Sequence, residues 1–195
     1  MKPYFYSVVI LFFLINPFAN AAKTILAGGC FWCMESDFEK LNGVTNVVSG
    51  FSGGTIKNPS YNGNHKGHYE VVEITYDPKV VSYRKILEHY WVNIDPFDDK
   101  GQFCDKGHSY LSAIFVASET ERKIAEELKR KVVVEFPAET VVTPILNAST
   151  FWPIKGKESY HQDYYKNNPI RYRFYRLSCG RDRRLKEIWG DRVTH

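Results

Sequence analysis

Short apolar runs along the chain alternate with stretches in which apolar residues recur every three or four positions. Residues 23–27 have the length and composition of a buried strand. After Cys30 the pattern turns helical, with Phe31, Met34, Phe38 and Leu41 on one face up to an Asn42-Gly43 stop. Residues 44–51 read as a second strand, and 69–76 alternate cleanly enough to predict a third. A helix is predicted over 82–93, with Ile86, Leu87, Tyr90 and Trp91 apolar. A strand follows over 110–117, then a helix to about residue 135 that opens on the capping sequence Ser118-Glu119-Thr120-Glu121. Residues 139–145 read as a further strand, 159–166 as a short helix and 181–189 as an amphipathic helix carrying Leu185, Ile188 and Trp189. Two long irregular connections remain, at 55–67 and 95–109, and loops of that length are often functional. There is no internal repeat and no linker, so interleaved strands and helices predict one domain of α/β or α+β layers.

One position breaks the pattern. Alternation over 69–76 puts Glu70 on the same face as Val72 and Ile74, whereas Glu73 points the other way. A carboxylic acid turned toward apolar neighbours has a raised pKa and holds its proton near neutral pH.

Composition narrows the setting. With 195 residues, 44% hydrophobic and 25% charged, the chain is long enough to bury a substantial core. Its first residues look like a leader: Lys2 supplies a positive end, residues 8–15 form an apolar run, and Ala19-Asn20-Ala21 offers an A-x-A cleavage site. Export with cleavage after Ala21 is expected, to a bacterial periplasm, with no membrane anchor. The formal charge of +4 is concentrated at the end. Residues 171–195 hold eight Lys and Arg against three acids, a basic tail whose interspersed Asp182, Glu187 and Asp191 read as a solvated helix face rather than a nucleic-acid site.

The candidate chemistry centres on Gly28-Gly29-Cys30-Phe31-Trp32-Cys33. The glycines permit a sharp strand-to-helix turn, which sets Cys30 at a helix N-terminus, where free N–H groups stabilise a thiolate. Cys33 lies one helical turn on. With Cys104 and Cys179 the cysteines number four, an even count that in an exported protein also fits two structural disulfides. Three readings follow: a redox-active thiol enzyme, a C-x-x-C disulfide oxidoreductase, or a disulfide-stapled binding domain. No metal is expected, because the cysteines and histidines lack zinc-like spacing.

Gly29-Cys30-Phe31-Trp32, Gly67-His68-Tyr69-Glu70, Asp105-Lys106-Gly107-His108-Ser109-Tyr110 with Ser112-Ala113-Ile114, and Tyr160-His161-Gln162-Asp163-Tyr164 before Asn168-Pro169 resemble, in the same order, the motifs of the peptide methionine sulfoxide reductase A family. The resemblance spans nearly the whole mature chain. It implies an α+β fold, a two-layer sandwich related to the ferredoxin-like arrangement, with helices packed on a mixed sheet. It implies reduction of methionine-(S)-sulfoxide, free or in proteins, with no organic cofactor and a thioredoxin-like donor, by what we expect to be a monomer. On the matched positions Cys30 is the nucleophile, Glu70 the acid, and Tyr61 and Tyr110 the donors to the sulfoxide oxygen. Asp105 orients substrate or water, and Phe31 and Trp32 form the wall for the S-methyl group. Many family members have a different residue where this chain has Cys33 and use a cysteine near the C-terminus, so Cys33 and Cys179 are both candidates to resolve a Cys30 sulfenic acid. Cys104 has no matched role and is expected to be a structural or buried thiol.

Overall fold

The computed structural model describes residues 21–193, so the predicted leader, Ala21 apart, lies outside the described residues. The sequence-predicted strands and helices form where local pattern is strong: β1 (Ala22–Gly28), α1 (Phe31–Phe38), β2 (Val44–Ser52), β3 (Tyr69–Tyr76) and α2 (Tyr83–Trp91). Ser82 caps α2, its hydroxyl accepting from Lys85 N. The connection after α2 holds a miniature hairpin, β4 (Gly101–Gln102) and β5 (Asp105–Lys106), followed by a single 3-10 turn, His108–Tyr110. Then come β6 (Ser112–Val116), the Ser118-capped α3 (Glu119–Glu135), β7 (Ile145–Asn147) and β8 (Trp152–Pro153). The chain ends in α4 (Tyr164–Asn167), α5 (Pro169–Cys179) and α6 (Arg181–Trp189).

Six strands form one mixed sheet in the order β7-β6-β1-β3-β2-β8; every pairing is antiparallel except β6 with β7. Alternation along the central strands divides the two faces. Leu26, Val72, Ile74 and Ile114 meet Phe31, Met34 and Phe38 of α1 and Ile86, Leu87 and Tyr90 of α2 in the main core. The opposite face buries the smaller set Ala27, Val71, Ala113 and Phe115. Glu70 shares the parity of Val72 and Ile74, so it enters the helix-covered side as the alternation predicted, at 2% exposure.

Several expectations are corrected. The strand expected over 139–145 shrinks to Ile145–Asn147, which pairs parallel with β6. The helix expected over 159–166 is a 3-10 turn, Gly156–His161, followed by the four-residue α4. Residues 171–179, read as part of a basic tail, belong to α5, which is opened by Pro169 and closed by Gly180 at φ +71°. Its buried side is Tyr172 and Arg176, while Ile170, Phe174 and Leu177 face outward, so apolar periodicity misreports which face is covered. Nor does α1 have a solvated face. Of its eight residues only Trp32 is incompletely buried, and Glu35, assigned to water on sequence, is buried and accepts a hydrogen bond from Asp163 N at 3.0 Å.

Candidate active site

The turn between β1 and α1 builds the site. Gly29 adopts φ +84°, a region costly for other residues, and a Cβ there would lie 2.6 Å from the Cβ of Gln102 in β4. Gly29→Ala therefore combines backbone strain with a clash. It is expected to cost about 2–4 kcal/mol in urea unfolding.

Cys30 is the N-cap of α1, and its carbonyl accepts from Cys33 N at 3.1 Å and Met34 N at 3.3 Å. Both sulfurs are buried. The first free amide of the helix does not serve the thiol: Phe31 N–H donates to Glu70 Oε2 at 3.2 Å. Burial, more than any neighbour, pushes the Cys30 thiol well above its ordinary pKa, and nearby Cys33 and Glu70 add to this. Cys33 is displaced the other way, chiefly by its hydrogen bond with Cys30 and then by the positive charges of Arg181 and Arg176, which outweigh burial. Within this pair Cys33 is thus the more readily ionised sulfur and Cys30 the less, and the helix amide expected to favour a Cys30 thiolate is taken by Glu70.

Glu70 is pushed up to about 8, first by burial and further by Asp105 and Cys33, while the Phe31 N–H and the Tyr110 hydroxyl pull the other way. It is therefore a carboxylic acid at neutral pH. Burial also pushes Tyr61 up to about 12 and raises Tyr110, so both phenols keep their protons as donors. These two hydroxyls interact with one another and share Glu70 as an electrostatic neighbour. Five sequence-predicted residues, Cys30, Cys33, Glu70, Tyr61 and Tyr110, are thus brought together.

The aromatic wall is more extensive than predicted. The Phe31 ring lies 5.9 Å from Tyr61 and 6.2 Å from Phe51. Trp32 stacks on Tyr164 at 3.8 Å, and its indole N–H donates to His161 Nδ1 at 3.0 Å. Tyr61 lies 4.0 Å from the His161 ring. The loop carrying Tyr61 is pinned by Glu158, whose carboxylate accepts from Ser60 Oγ, Tyr61 N and Asn62 N, each at 2.8 Å. Glu158 and Tyr175 were missed on sequence; His161 and Tyr164 lay inside a quoted motif without a role.

Asp105 is placed beside the site, but its Oδ2 accepts the Tyr175 hydroxyl, and Tyr175 also faces the Cys30 thiol. The two remaining cysteines contradict their expected states. Cys104, expected as a structural or buried thiol, is exposed, and Cys179, a candidate to resolve Cys30, is not a free thiol; they form a disulfide with Cα atoms 4.9 Å apart. A cleft of about 610 Å³ is lined by α2, α3 and α6 residues such as Trp91, Leu128 and Trp189, and includes none of these groups. Chemistry locates the site here; cavity size does not.

A buried thiol beside a second sulfur, a protonated carboxyl and two phenols is the equipment of a thiol-dependent reductase. Residues 22–193 match the family described as peptide methionine sulfoxide reductase. The chain is 46% identical over 180 residues to "Peptide methionine sulfoxide reductase MsrA 2" of Caulobacter vibrioides, covering 89% of this chain and 90% of that one. It is 43% identical over 182 residues to "Peptide methionine sulfoxide reductase MsrA/MsrB" of Vibrio cholerae, covering 91% of this chain but only 47% of that longer protein. Among solved structures it resembles reduced Mxr1 from Saccharomyces cerevisiae, with a TM-score of 0.71, 26% identity and coverage of 80% and 89% of the two chains. The chain belongs to the peptide methionine sulfoxide reductase family, on its MsrA side.

Proposed function

We propose that this protein reduces methionine-(S)-sulfoxide, free or in proteins, to methionine through Cys30, without a prosthetic group, and that a thioredoxin-like dithiol protein recycles it. The observation that carries this reading is the protonated, buried Glu70 bonded to the first amide of the helix that Cys30 caps. A sulfoxide sulfur is a poor electrophile until its oxygen is hydrogen-bonded or protonated. Tyr61 and Tyr110 hold that oxygen, and Glu70 supplies the proton. The Cys33 thiolate takes the Cys30 proton as the Cys30 sulfur attacks the sulfoxide sulfur; the oxygen, carrying the Glu70 proton, moves to Cys30 as a sulfenic acid, and methionine leaves. Phe31 and Trp32 receive the S-methyl group, since aromatic faces suit sulfur contacts. Asp105, engaged by Tyr175, orients that edge of the site.

Cys33 then attacks the sulfenic sulfur, releasing water and forming a Cys30–Cys33 disulfide. Its lowered pKa and position one turn away make it the first resolving nucleophile, ahead of Cys179, which is already bonded. A dithiol donor returns the enzyme to its thiol form by exchange. The remaining readings belong to the same proposal. Residues 22–195 act as one catalytic domain, monomeric, exported to a bacterial periplasm behind the leader at 1–21. The β1-α1-β2-β3-α2-β6 connectivity and central strand order β6-β1-β3-β2 support a ferredoxin-like relation.

A single-turnover assay without reductant tests the assignment. Cys30→Ser is expected to release no methionine. Cys33→Ser is expected to release about one equivalent and then stall at the sulfenic acid. One equivalent from Cys30→Ser would remove Cys30 from its role.

A further inference from the structure

We propose that Cys104–Cys179 is a second redox centre, the point where electrons enter, with Cys104 the sulfur that an external dithiol protein attacks. The proposal rests on the reductase reading above and begins from access. Cys30 and Cys33 are buried, at 7% and 2% exposure, which leaves less approach for the short cysteine side chain of a donor protein than for a long, flexible methionyl side chain. Of the chain's four cysteines only Cys104 is exposed, at the turn between β4 and β5, while Cys179 is half-buried where α5 ends.

The disulfide is polarised by its surroundings. Cys104 N–H donates to Cys179 Sγ at 3.2 Å, which favours negative charge on Cys179 when the bond breaks. A disulfide opens faster when the better-stabilised thiolate leaves. Attack at Cys104 therefore has both the open approach and the better leaving group.

The same few residues join this pair to the first. Asp105, which follows Cys104, accepts the Tyr175 hydroxyl, and Tyr175 faces Cys30 from α5, one turn before Cys179. Arg176, next on that turn, is a charge neighbour of Cys33. The β4 strand packs its Gln102 against Gly29, the residue before Cys30. One helical turn thus borders both sulfur pairs.

The exchange balances as follows. The donor thiolate attacks Cys104 Sγ, forming a mixed disulfide and releasing Cys179 as thiolate. The donor's second thiol then breaks the mixed disulfide, leaving donor disulfide and a Cys104 thiol. The Cys179 thiolate attacks the Cys30–Cys33 disulfide, and Cys104 closes on Cys179. This leaves Cys30 and Cys33 reduced and Cys104–Cys179 oxidised, which is the state in the structure.

Two measurements test this on the full-length mature protein. Fully reduced wild type, mixed with a methyl sulfoxide and no reductant, is expected to release about two equivalents of methionine, against about one from Cys104→Ser/Cys179→Ser, because each disulfide stores one electron pair. One equivalent from wild type as well would make the second disulfide purely structural and overturn the proposal. No methionine from wild type would overturn the reductase reading, and the relay with it. The second measurement needs no substitution in the protein. Thioredoxin with its second active-site cysteine replaced by serine is incubated with the oxidised chain, and the mixed disulfide is mapped by mass spectrometry. Capture on Cys104 supports the proposal, whereas capture on Cys30, Cys33 or Cys179 overturns it.

Discussion

Glu70→Gln is expected to lower kcat/KM for methyl sulfoxides by roughly 10²–10⁴-fold, the contribution of a positioned general acid. It should also remove one limb of the pH profile. Burial pushes the wild-type carboxyl up to about 8, so its proton is in place below that pH and lost above it. Wild-type kcat/KM should therefore fall as pH rises through about 8, and the variant should lack this fall. Glu35, also buried and pushed up to about 8, titrates in the same window one helical turn beyond Phe31, where it accepts Asp163 N–H. Glu35→Gln is the control that should leave the limb in place.

On substitution, stability above that pH should move in the opposite sense to activity. The unfolded Glu70 carboxyl ionises near its ordinary value of 4.5, whereas the folded one holds its proton to about 8. Between those values the unfolded chain sheds a proton that the folded chain keeps, so stability falls as pH rises and the contribution is gone above about 8. Keeping Glu70 buried above that pH costs on the order of 3–5 kcal/mol. Urea unfolding should find Glu70→Gln more stable than wild type above about pH 8 and not below about pH 4.5. A variant that is less active and more stable separates a catalytic carboxyl from a structural one. Equal pH profiles for the two proteins would remove Glu70 as the acid.

Glu70 was legible because a strand has period two and its neighbours Val72 and Ile74 declare the buried face. Glu35 was not, although its spacing from Phe31 and Phe38 is helical on the same side. The reading assumed a solvated face, and α1 is covered almost all round. α5 misled for a related reason. Its buried side is Tyr172 and Arg176, paired through hydrogen bonds and with Asp37, while its apolar side chains point outward. A period count weighs hydrophobicity, and here polar partners rather than apolar area decide the orientation. The Cys104–Cys179 pairing was closed to sequence for a third reason. The two residues are 75 apart, and spacing carries no information on which of three pairings forms.

The largest loss of stability is expected from Arg181→Ala. Arg181 is 1% exposed, two residues beyond Cys179, and ties the site to the core. Its guanidinium donates to Gly28 O at 3.2 Å and Asn93 O at 2.7 Å, lies 3.5 Å from Asp37 and sits 4.6 Å over the Phe103 ring. Truncation leaves two carbonyls without this donor, removes part of the charge compensation of buried Asp37 and opens a cavity. Removing one partner of a buried ionic network costs about 3–5 kcal/mol, a large part of the roughly 5–15 kcal/mol a domain possesses. Arg181→Lys retains the charge but cannot fork between two carbonyls, so it should fall between wild type and Arg181→Ala in urea midpoint. The two variants should part company at Cys33. The positive charge of Arg181 helps hold that thiol below its ordinary pKa, so Arg181→Ala should move the rise of Cys33 thiolate absorbance to higher pH, and Arg181→Lys should move it less. An unchanged thiolate titration in Arg181→Ala would assign the lowering to Cys30 and Arg176. A thiolate rise moved to higher pH together with slower disulfide formation after a single turnover would make Arg181 a positioning residue for the resolving step as well as a brace for the fold.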